Sequence, residues 1–472
     1  MANFNFIGGS YAGRSKDINS QRTINLYPVL DQEGGKVPIA LYGTPGFSEF
    51  CDTGTAAEGR GAIVVGSYLY AVCGDDFYQI DSTGTATDKG TLDSSTGHCW
   101  LAYNGPAGGQ ICVIDGTTGY IYDITAGAFA EITDADFPGA TSLTFQDGYF
   151  IVTKPDSGEF WVSDSYDGTA WDGTYYATAE GWPDDIKAAF SDHRELWLYG
   201  DETTEVWYNS GSGSPPFDRK IDEIIQTGLG AAASPASLDN TLFWFDNHRR
   251  AIRAEGYRPI VISTRQIEYQ WAQYGTVSDA IGWAMVMEGH SFYVLTFPSA
   301  GYTWVYDAAT GFWHERESWF SNTRTRWRAN WYAKFGSKHL IGDFANGKIY
   351  ELDNDVYAED GEILKAIRTS APVHKDRKWM FHHSLEIEHE SGVGLAAGQG
   401  SDPQAVIDWS DDGGHVWSNE HWVSLGKIGE YDKRQRLTRL GRSRNRIYRE
   451  TITDPVKRVI MGGHIDVTMG RS

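Results

Sequence analysis

The most specific pattern of polar residues in this chain is S-x-D-x-G-x-x-W, formed by Ser410, Asp412, Gly414 and Trp417. An aspartate at this position can accept hydrogen bonds from the amides of a turn, glycine can adopt the strained corner, and tryptophan can pack underneath. The pattern therefore predicts a structural hairpin turn. A looser copy, one residue shorter, runs from Ser165 to Trp171.

This pattern is the Asp-box, which recurs at hairpin turns of sialidase-like propellers. A sialidase-like enzyme would also need converging arginines, a nucleophilic tyrosine and an acid, and nothing in the sequence orders its residues into such a set. The motifs G-x-S-x-G, H-E-x-x-H and the glycine-rich phosphate loops are absent from the sequence. We predict no catalytic residues, no cofactor and no enzyme activity. A β-propeller glycosidase or lectin that acts on host surface glycans is the alternative.

Histidines and cysteines offer little support for a metal site. His382, His383 and His389, with Glu386, lie in a segment that alternates like a strand, where solvent-facing polar positions explain them better than metal ligation. The four cysteines have no C-x-x-C spacing, so we expect reduced, mostly buried thiols. The sequence predicts no metal.

Basic residues cluster near the C-terminus of an acidic chain. The formal net charge is −23, yet residues 427–458 contain eleven lysines and arginines against four acidic residues. Arginine, which dominates this run, suits bidentate pairing with carboxylates or phosphates. We predict contact with an acidic protein surface; direct contact with DNA and a merely solvated face are the alternatives. The predicted contact residues are Lys433, Arg434, Arg436, Arg439, Arg442, Arg444 and Arg446.

The elements that must position these residues are β-strands. The sequence has 54 Gly, 26 Tyr, 21 Phe and 18 Trp, a composition that favours strands and tight turns. Strand–turn–strand units recur every 40 to 50 residues or so from about residue 60 to 355, the period of four-stranded propeller blades. We predict a mainly β fold, a β-propeller of six or seven irregular blades, with stacked separate sandwiches as the rival architecture.

Three regions follow from this pattern. Residues 1–58 form an N-terminal arm that docks on the C-terminal module or on a neighbouring subunit, residues 59–368 form the propeller, and residues 369–472 form a small antiparallel β module with the basic strip. Residues 218–226 could form one or two helical turns. The sequence has neither a secretory signal pattern nor an apolar run long enough for a membrane span, so we expect no membrane insertion.

The order of several short segments resembles one known family. Leu385–Glu388, Asp411–Gly413, Asp432–Arg434, Leu440–Arg442 and Arg449–Val456 are similar to segments of the packaged DNA stabilization protein, or tail hub, of short-tailed phages. Ile24–Pro28 and Thr44–Phe47 are similar to its opening segment, and Tyr70–Gly74 and Val162–Asp164 to its middle.

The resemblance implies a structural virion protein of the phage tail, assembled in the host cytoplasm. It implies a homohexameric ring, or nozzle, below the portal and its adaptor, which extends the DNA channel and helps to retain packaged DNA until ejection. The implied partners are other copies of the chain, the adaptor, tail fibres or tailspikes, a plug or needle, and phage DNA that passes through without sequence-specific binding.

Overall fold

Seven four-stranded antiparallel blades dominate the computed structural model, five as separate sheets and two as parts of larger sheets. The structure describes residues 2–470; residues 1, 471 and 472 of the predicted regions lie outside the described part. Blade 1 consists of Gly59–Val65, Tyr68–Cys73, Asp76–Ile80 and Ala86–Thr91, and blade 2 of Trp100–Tyr103, Gln110–Ile114, Gly119–Asp123 and Ala128–Glu131. Blade 3 consists of Ser142–Gln146, Tyr149–Thr153, Glu159–Asp164 and Asp167–Thr178, and blade 4 of Ile186–Asp192, Glu195–Gly200, Thr204–Asn209 and Phe217–Ile225. Blades 5 and 6 consist of Ala236–Leu238, Thr241–Phe245, Ala251–Glu255 and Arg258–Val261, and of Ile281–Met287, His290–Phe297, Tyr302–Asp307 and Phe312–Phe320.

Blade 7 closes the ring with a strand from the start of the chain. Its first three strands are Ala329–Phe335, Lys338–Asp343 and Lys348–Asp353, and its outer strand is Gly46–Asp52, which pairs antiparallel with Lys348–Asp353. The first strand of blade 7 lies against the first strand of blade 1. The fold is therefore a seven-bladed β-propeller, and the fold class predicted from the sequence is confirmed.

A separate hydrophobic cluster lies between each pair of neighbouring blades. The cluster between blades 7 and 1, for example, joins Leu340 and Ile349 to Leu69 and Ile80, all fully buried. Each blade thus covers an apolar face of the next, which is why a ring leaves no blade face uncovered whereas a row of blades would leave two.

The C-terminal module is a β-sandwich that includes strands of the N-terminal arm. Its first sheet has the order Leu26–Leu30, Ile39–Gly43, Val459–Met469, Met380–His389, Gln435–Thr438; Ala2–Phe4 also pairs with Val459–Met469, and Arg442–Ser443 with Met380–His389. Leu26 and Leu41 of the arm are buried in the same cluster as Leu385, Ile407 and Ile460.

The second sheet of the sandwich is continuous with blade 6. From Phe312–Phe320 it runs through Ser20–Ile24, Ala366–Thr369, Asn445–Ile452 and Gln404–Ser410 to an edge at His421–Ser424; Tyr11–Ala12, Thr323–Arg326 and Val373–His374 pair at its sides. Ala358–Glu359 and Glu362–Ile363 extend blade 7. Residues 1–58 are thus no single arm: residues 46–52 belong to the propeller, and other segments belong to the sandwich.

Two local expectations differ from the structure. Residues 218–226 lie largely in the outer strand of blade 4, Phe217–Ile225, because pairing with Thr204–Asn209 overrides the weak helical pattern. The helices are Gly105–Gly108 and Arg265–Ala272. The second was not predicted; Thr264 caps it by accepting a hydrogen bond from the Ile267 amide, and Ile267 and Trp271 are buried one turn apart. No helix within residues 2–470 is long and apolar enough to cross a bilayer.

A buried ionisable group lies where blade 7 meets the sandwich. Glu359, fully buried, is beside Phe47 of the closing strand. Burial raises the pKa of Glu359 to about 7, although the charges of Arg316 and Arg328 act in the opposite direction. Arg316 and Arg458, from the propeller and the sandwich respectively, are also buried.

Candidate interaction surface

The predicted basic residues lie mainly along one edge of the sandwich. Gln435–Thr438 and Arg442–Ser443 pair with Met380–His389 and have no partner on their other side among the described residues. Side chains alternate along this edge, so that Gln435 is buried while Arg436 is exposed. Edge strands leave backbone groups unpaired and are common docking sites.

The exposed members of this strip differ in their partners. Arg434 forms a bidentate pair with Glu386, at 2.8 and 2.5 Å, and Arg436 donates to the hydroxyl of Ser384 at 3.2 Å. Lys433, Arg439, Arg442 and Arg444 are exposed and have no carboxylate within 4.0 Å in the described part of the chain. These four charges are available to a partner.

Arg446 does not belong to this surface. Its side chain is only 2% exposed and pairs with Asp411 through two bonds of 2.6 and 2.8 Å, and it also donates to the carbonyl of Leu440. The strand that contains it, Asn445–Ile452, pairs with a strand on each side and is therefore central in its sheet. The prediction that Arg446 faces a partner is therefore wrong.

A second basic segment, missed in the sequence, extends the strip at one end. The loop that joins Val373–His374 to Met380–His389 exposes Arg377 and Lys378. It also places Trp379 under two guanidinium groups, those of Arg442 and Arg444, at 4.6 and 4.8 Å from the ring centre. The run K-D-R-K-W in the sequence was the signal that could have revealed it.

Apolar side chains are exposed at the other end of the basic strip, away from Arg377 and Trp379. Trp422, on the edge strand of the second sheet, is 62% exposed, and Ile428 and Tyr431 in the following loop are 64% and 76% exposed. Tyr431 lies beside Gly392, past the end of strand Met380–His389. Large exposed apolar residues beside arginines are typical of protein interfaces.

The Asp-box residues form a tight turn between Gln404–Ser410 and His421–Ser424. Asp412 accepts hydrogen bonds from the amides of Val416 and His415, at 2.9 and 3.0 Å, and from the hydroxyl of Ser410 at 2.7 Å. These bonds lower the pKa of Asp412. Gly414 has a φ of 88°, where a side chain would be strained. Trp417 packs under the guanidinium of Arg449, 3.8 Å away.

The histidines are placed differently from the sequence prediction. His383 is exposed, but His382 and His389 are buried. His382 contacts the hydroxyl groups of Ser443 and Tyr448 at 2.8 Å each, and burial lowers its pKa to about 4. His389 lies 2.9 Å from a carboxylate oxygen of Glu450. No group of three potential metal ligands comes together within residues 2–470. All four cysteines are buried and unpaired with one another.

The centre of the propeller contains a cavity of about 390 Å³ lined by residues that include Glu58, Arg60, His98, Asp279 and Arg326. Arg60 donates to backbone carbonyls of Gly74, Ser94, Thr96 and Gly97 and is therefore a structural residue. No tyrosine is among the described residues that line the cavity. The arginine, tyrosine and acid set expected of the glycosidase alternative is not assembled there.

The chain is thus a seven-bladed propeller joined to a β-sandwich that has a basic edge. Comparison with known families agrees: the family model described as "Bacteriophage P22 Gp10, beta-propeller" matches residues 2–357, and that described as "Bacteriophage P22 Gp10, beta-sandwich" matches residues 367–468. This chain belongs to the bacteriophage P22 Gp10 family and is a phage structural protein.

The other similarities to known proteins are weak. No curated protein matches the chain. Among solved structures, virginiamycin B lyase from Staphylococcus aureus is 11% identical, with 65% of this chain and 98% of that chain covered and a TM-score of 0.47. The N-terminal domain of Nup159 is 9% identical, with 71% and 99% covered and a TM-score of 0.41. The designed Ika8 protein is 12% identical, with 74% and 99% covered and a TM-score of 0.39. Similarities this low carry no information on function.

Proposed function

We propose that this chain is the tail hub, or nozzle, of a short-tailed phage. Six copies form a ring in the virion tail, assembled in the host cytoplasm, that extends the DNA channel below the portal and its adaptor. The ring helps to retain packaged DNA and provides docking sites for tail fibres or tailspikes and for a plug or needle. The observation that carries this proposal is the match of both domains to one phage structural family.

The distribution of charge supports a directional assembly. Residues 369–472 contain 15 lysines and arginines against 14 acidic residues, so the negative excess of the whole chain lies in residues 1–368. An exposed basic edge on a neutral module, attached to an acidic propeller, favours one docking direction because the propeller repels acidic partners.

The end of the strip with the more strongly exposed apolar residues is the better candidate for the adaptor contact. Lys433, Arg434 and Arg436 lie there with Trp422 and Tyr431, and aromatic residues and arginine are enriched in protein interfaces. The partner of this end is an acidic protein surface.

Light scattering and negative-stain imaging test the ring, and reconstitution with the adaptor tests the surface. Purified protein should give rings of six copies that bind the adaptor. The variant Lys433→Glu/Arg434→Glu/Arg436→Glu should lose adaptor binding and keep its fold, because all three side chains are exposed.

The variant Arg14→Glu/Arg258→Glu/Arg265→Glu makes the same change in net charge at exposed positions elsewhere, and it should bind the adaptor normally. If the variant Lys433→Glu/Arg434→Glu/Arg436→Glu still binds the adaptor, the basic strip is only a solvated face. A monomer that cleaves or binds a host glycan would instead support the glycosidase or lectin alternative.

A further inference from the structure

Five cations and one tryptophan form a compact cluster at the end of the sandwich edge away from Trp422 and Tyr431. We call Arg377, Lys378, Trp379, Arg439, Arg442 and Arg444 the basic–aromatic cluster. Phe381 pairs with Arg442, which brings the loop that contains Arg377 next to the edge strand. The amide of Arg439 donates to the carbonyl of His383 at 2.9 Å, so Arg439 lies at the same end of the sandwich. The cluster and Tyr431 are separated by the length of strand Met380–His389, which is roughly 30 Å.

These five cations are not neutralised within the chain. None has a carboxylate within 4.0 Å among the described residues, whereas Arg434 and Arg449 are paired with Glu386 and Asp408. The acid nearest in sequence, Asp376, lies 3.8 Å from Lys375. The structure thus exposes a concentrated positive charge with no internal role.

We propose that the basic–aromatic cluster binds the phosphate backbone of duplex DNA. The two guanidinium groups that lie on Trp379 are held by cation–π contact, so they lose little freedom on binding and keep their N–H donors for phosphate oxygens. The cluster contacts phosphates, not bases, and so does not discriminate between sequences.

The acidic propeller limits this contact to the cluster. Because the negative excess of the chain lies in residues 1–368, DNA is repelled from the body of the molecule and held only where the cations are uncompensated. The inference goes beyond the proposed function, since a ring can assemble without touching DNA.

Fluorescence anisotropy with a labelled 20-base-pair duplex tests the proposal, using the full-length protein between 25 and 150 mM NaCl. Each phosphate contact contributes about −0.9 to the slope of log affinity against log salt, so three to five contacts give a slope of roughly −3 to −5. The variant Arg439→Gln/Arg442→Gln/Arg444→Gln should bind the duplex at least tenfold more weakly at 50 mM NaCl. Its slope of log affinity against log salt should be less negative than that of the parent by about 2 to 3.

Two matched variants make the result specific. Arg14→Gln/Arg258→Gln/Arg265→Gln removes the same net charge from exposed positions outside the cluster and should bind DNA nearly as the parent does. Arg442→Lys/Arg444→Lys keeps the charge and should retain binding within about threefold.

Three results would overturn the proposal: no DNA binding by the parent protein at 25 mM NaCl, equal losses in the two glutamine variants, or tighter binding of poly-L-glutamate than of the duplex. The last result would identify the cluster as a site for an acidic protein. The mass of the ring, measured on the same samples, reports on the hub proposal separately.

Discussion

Burial divides the arginines of the C-terminal region into two kinds. Arg442 and Arg444 are exposed and lie against the Trp379 ring, whereas Arg446, only two residues further along, is enclosed by Asp411, Tyr448 and the carbonyl of Leu440. The same residue type is thus exposed in one case and stabilises the fold in the other.

Removing the carboxylate from Asp411 should therefore destabilise the protein. Asp411→Ala leaves the buried guanidinium of Arg446 without its negative partner, and we expect the free energy of unfolding to fall by about 3 kcal/mol. Arg434→Ala, which breaks an exposed pair, should change it little. Chemical denaturation followed by tryptophan fluorescence would measure both, and equal changes in the two variants would contradict this account.

The sequence could predict that basic residues gather between 427 and 458, but it could not predict which of them reach the surface. That depends on which side of each strand the fold covers: Arg446 is buried against Asp411 and Tyr448, whereas Arg442 and Arg444 lie on an uncovered side. The residues that cover a strand are distant in sequence, so the local pattern does not identify them. His382 and His389 were misplaced for the same reason, since both lie on the covered face of their strand while His383 points to the opposite face.

At the scale of elements, the junction between blade 7 and the sandwich combines a closing strand with a buried carboxyl group. Glu359 has a folded pKa of about 7, above its value in an unfolded chain. A raised pKa means that the folded state binds the Glu359 proton more tightly than the unfolded chain does. The resulting contribution to the free energy of unfolding is complete below about pH 4.5 and is lost as the pH rises through 7.

We expect Glu359→Gln to remove this pH dependence. In the parent protein the Glu359 contribution to the free energy of unfolding should fall by up to about 3 kcal/mol between pH 5 and pH 9, and in the variant this part of the decline should be absent. The matched change Glu362→Gln, at the neighbouring half-buried residue, should leave the decline intact. Thermal melting across that pH range measures the difference; identical pH profiles for parent and Glu359→Gln would refute it.

The repeated units were predictable because each blade is built from neighbouring hairpins. Units such as Tyr68–Ile80 show alternating apolar residues around a short turn, and this pattern is local. The outer strand of blade 7 was not predictable, since Gly46–Asp52 pairs with residues about 300 positions away and nothing in its own pattern identifies that partner.

At the scale of the whole molecule, the propeller and the sandwich are not independent. The sandwich core contains Phe6, Leu26 and Leu41 from the N-terminal arm, and the second sheet passes through Ser20–Ile24 into blade 6. The sandwich core therefore depends on the N-terminal arm, and the sandwich and the propeller share a sheet.

Residues 366–472 should therefore fail to fold when produced alone. Loss of three fully buried side chains costs about 2 to 5 kcal/mol each, which is comparable to the whole stability of a small domain. We expect no cooperative thermal transition by circular dichroism. Attaching residues 2–45 through a flexible linker should restore the transition, and a cooperative transition without them would show that the sandwich is self-sufficient.

The closing strand also has a consequence during synthesis of the chain. Phe47 leaves the ribosome about 300 residues before its partner Leu352, and at 5 to 20 residues per second that delay is roughly 15 to 60 s. Throughout this interval the nascent propeller is open within blade 7, because the outer strand Gly46–Asp52 has no partner until Lys348–Asp353 has been made. Ribosomal pausing or a chaperone acting in that window would influence the yield of native protein more than either would once Leu352 has emerged.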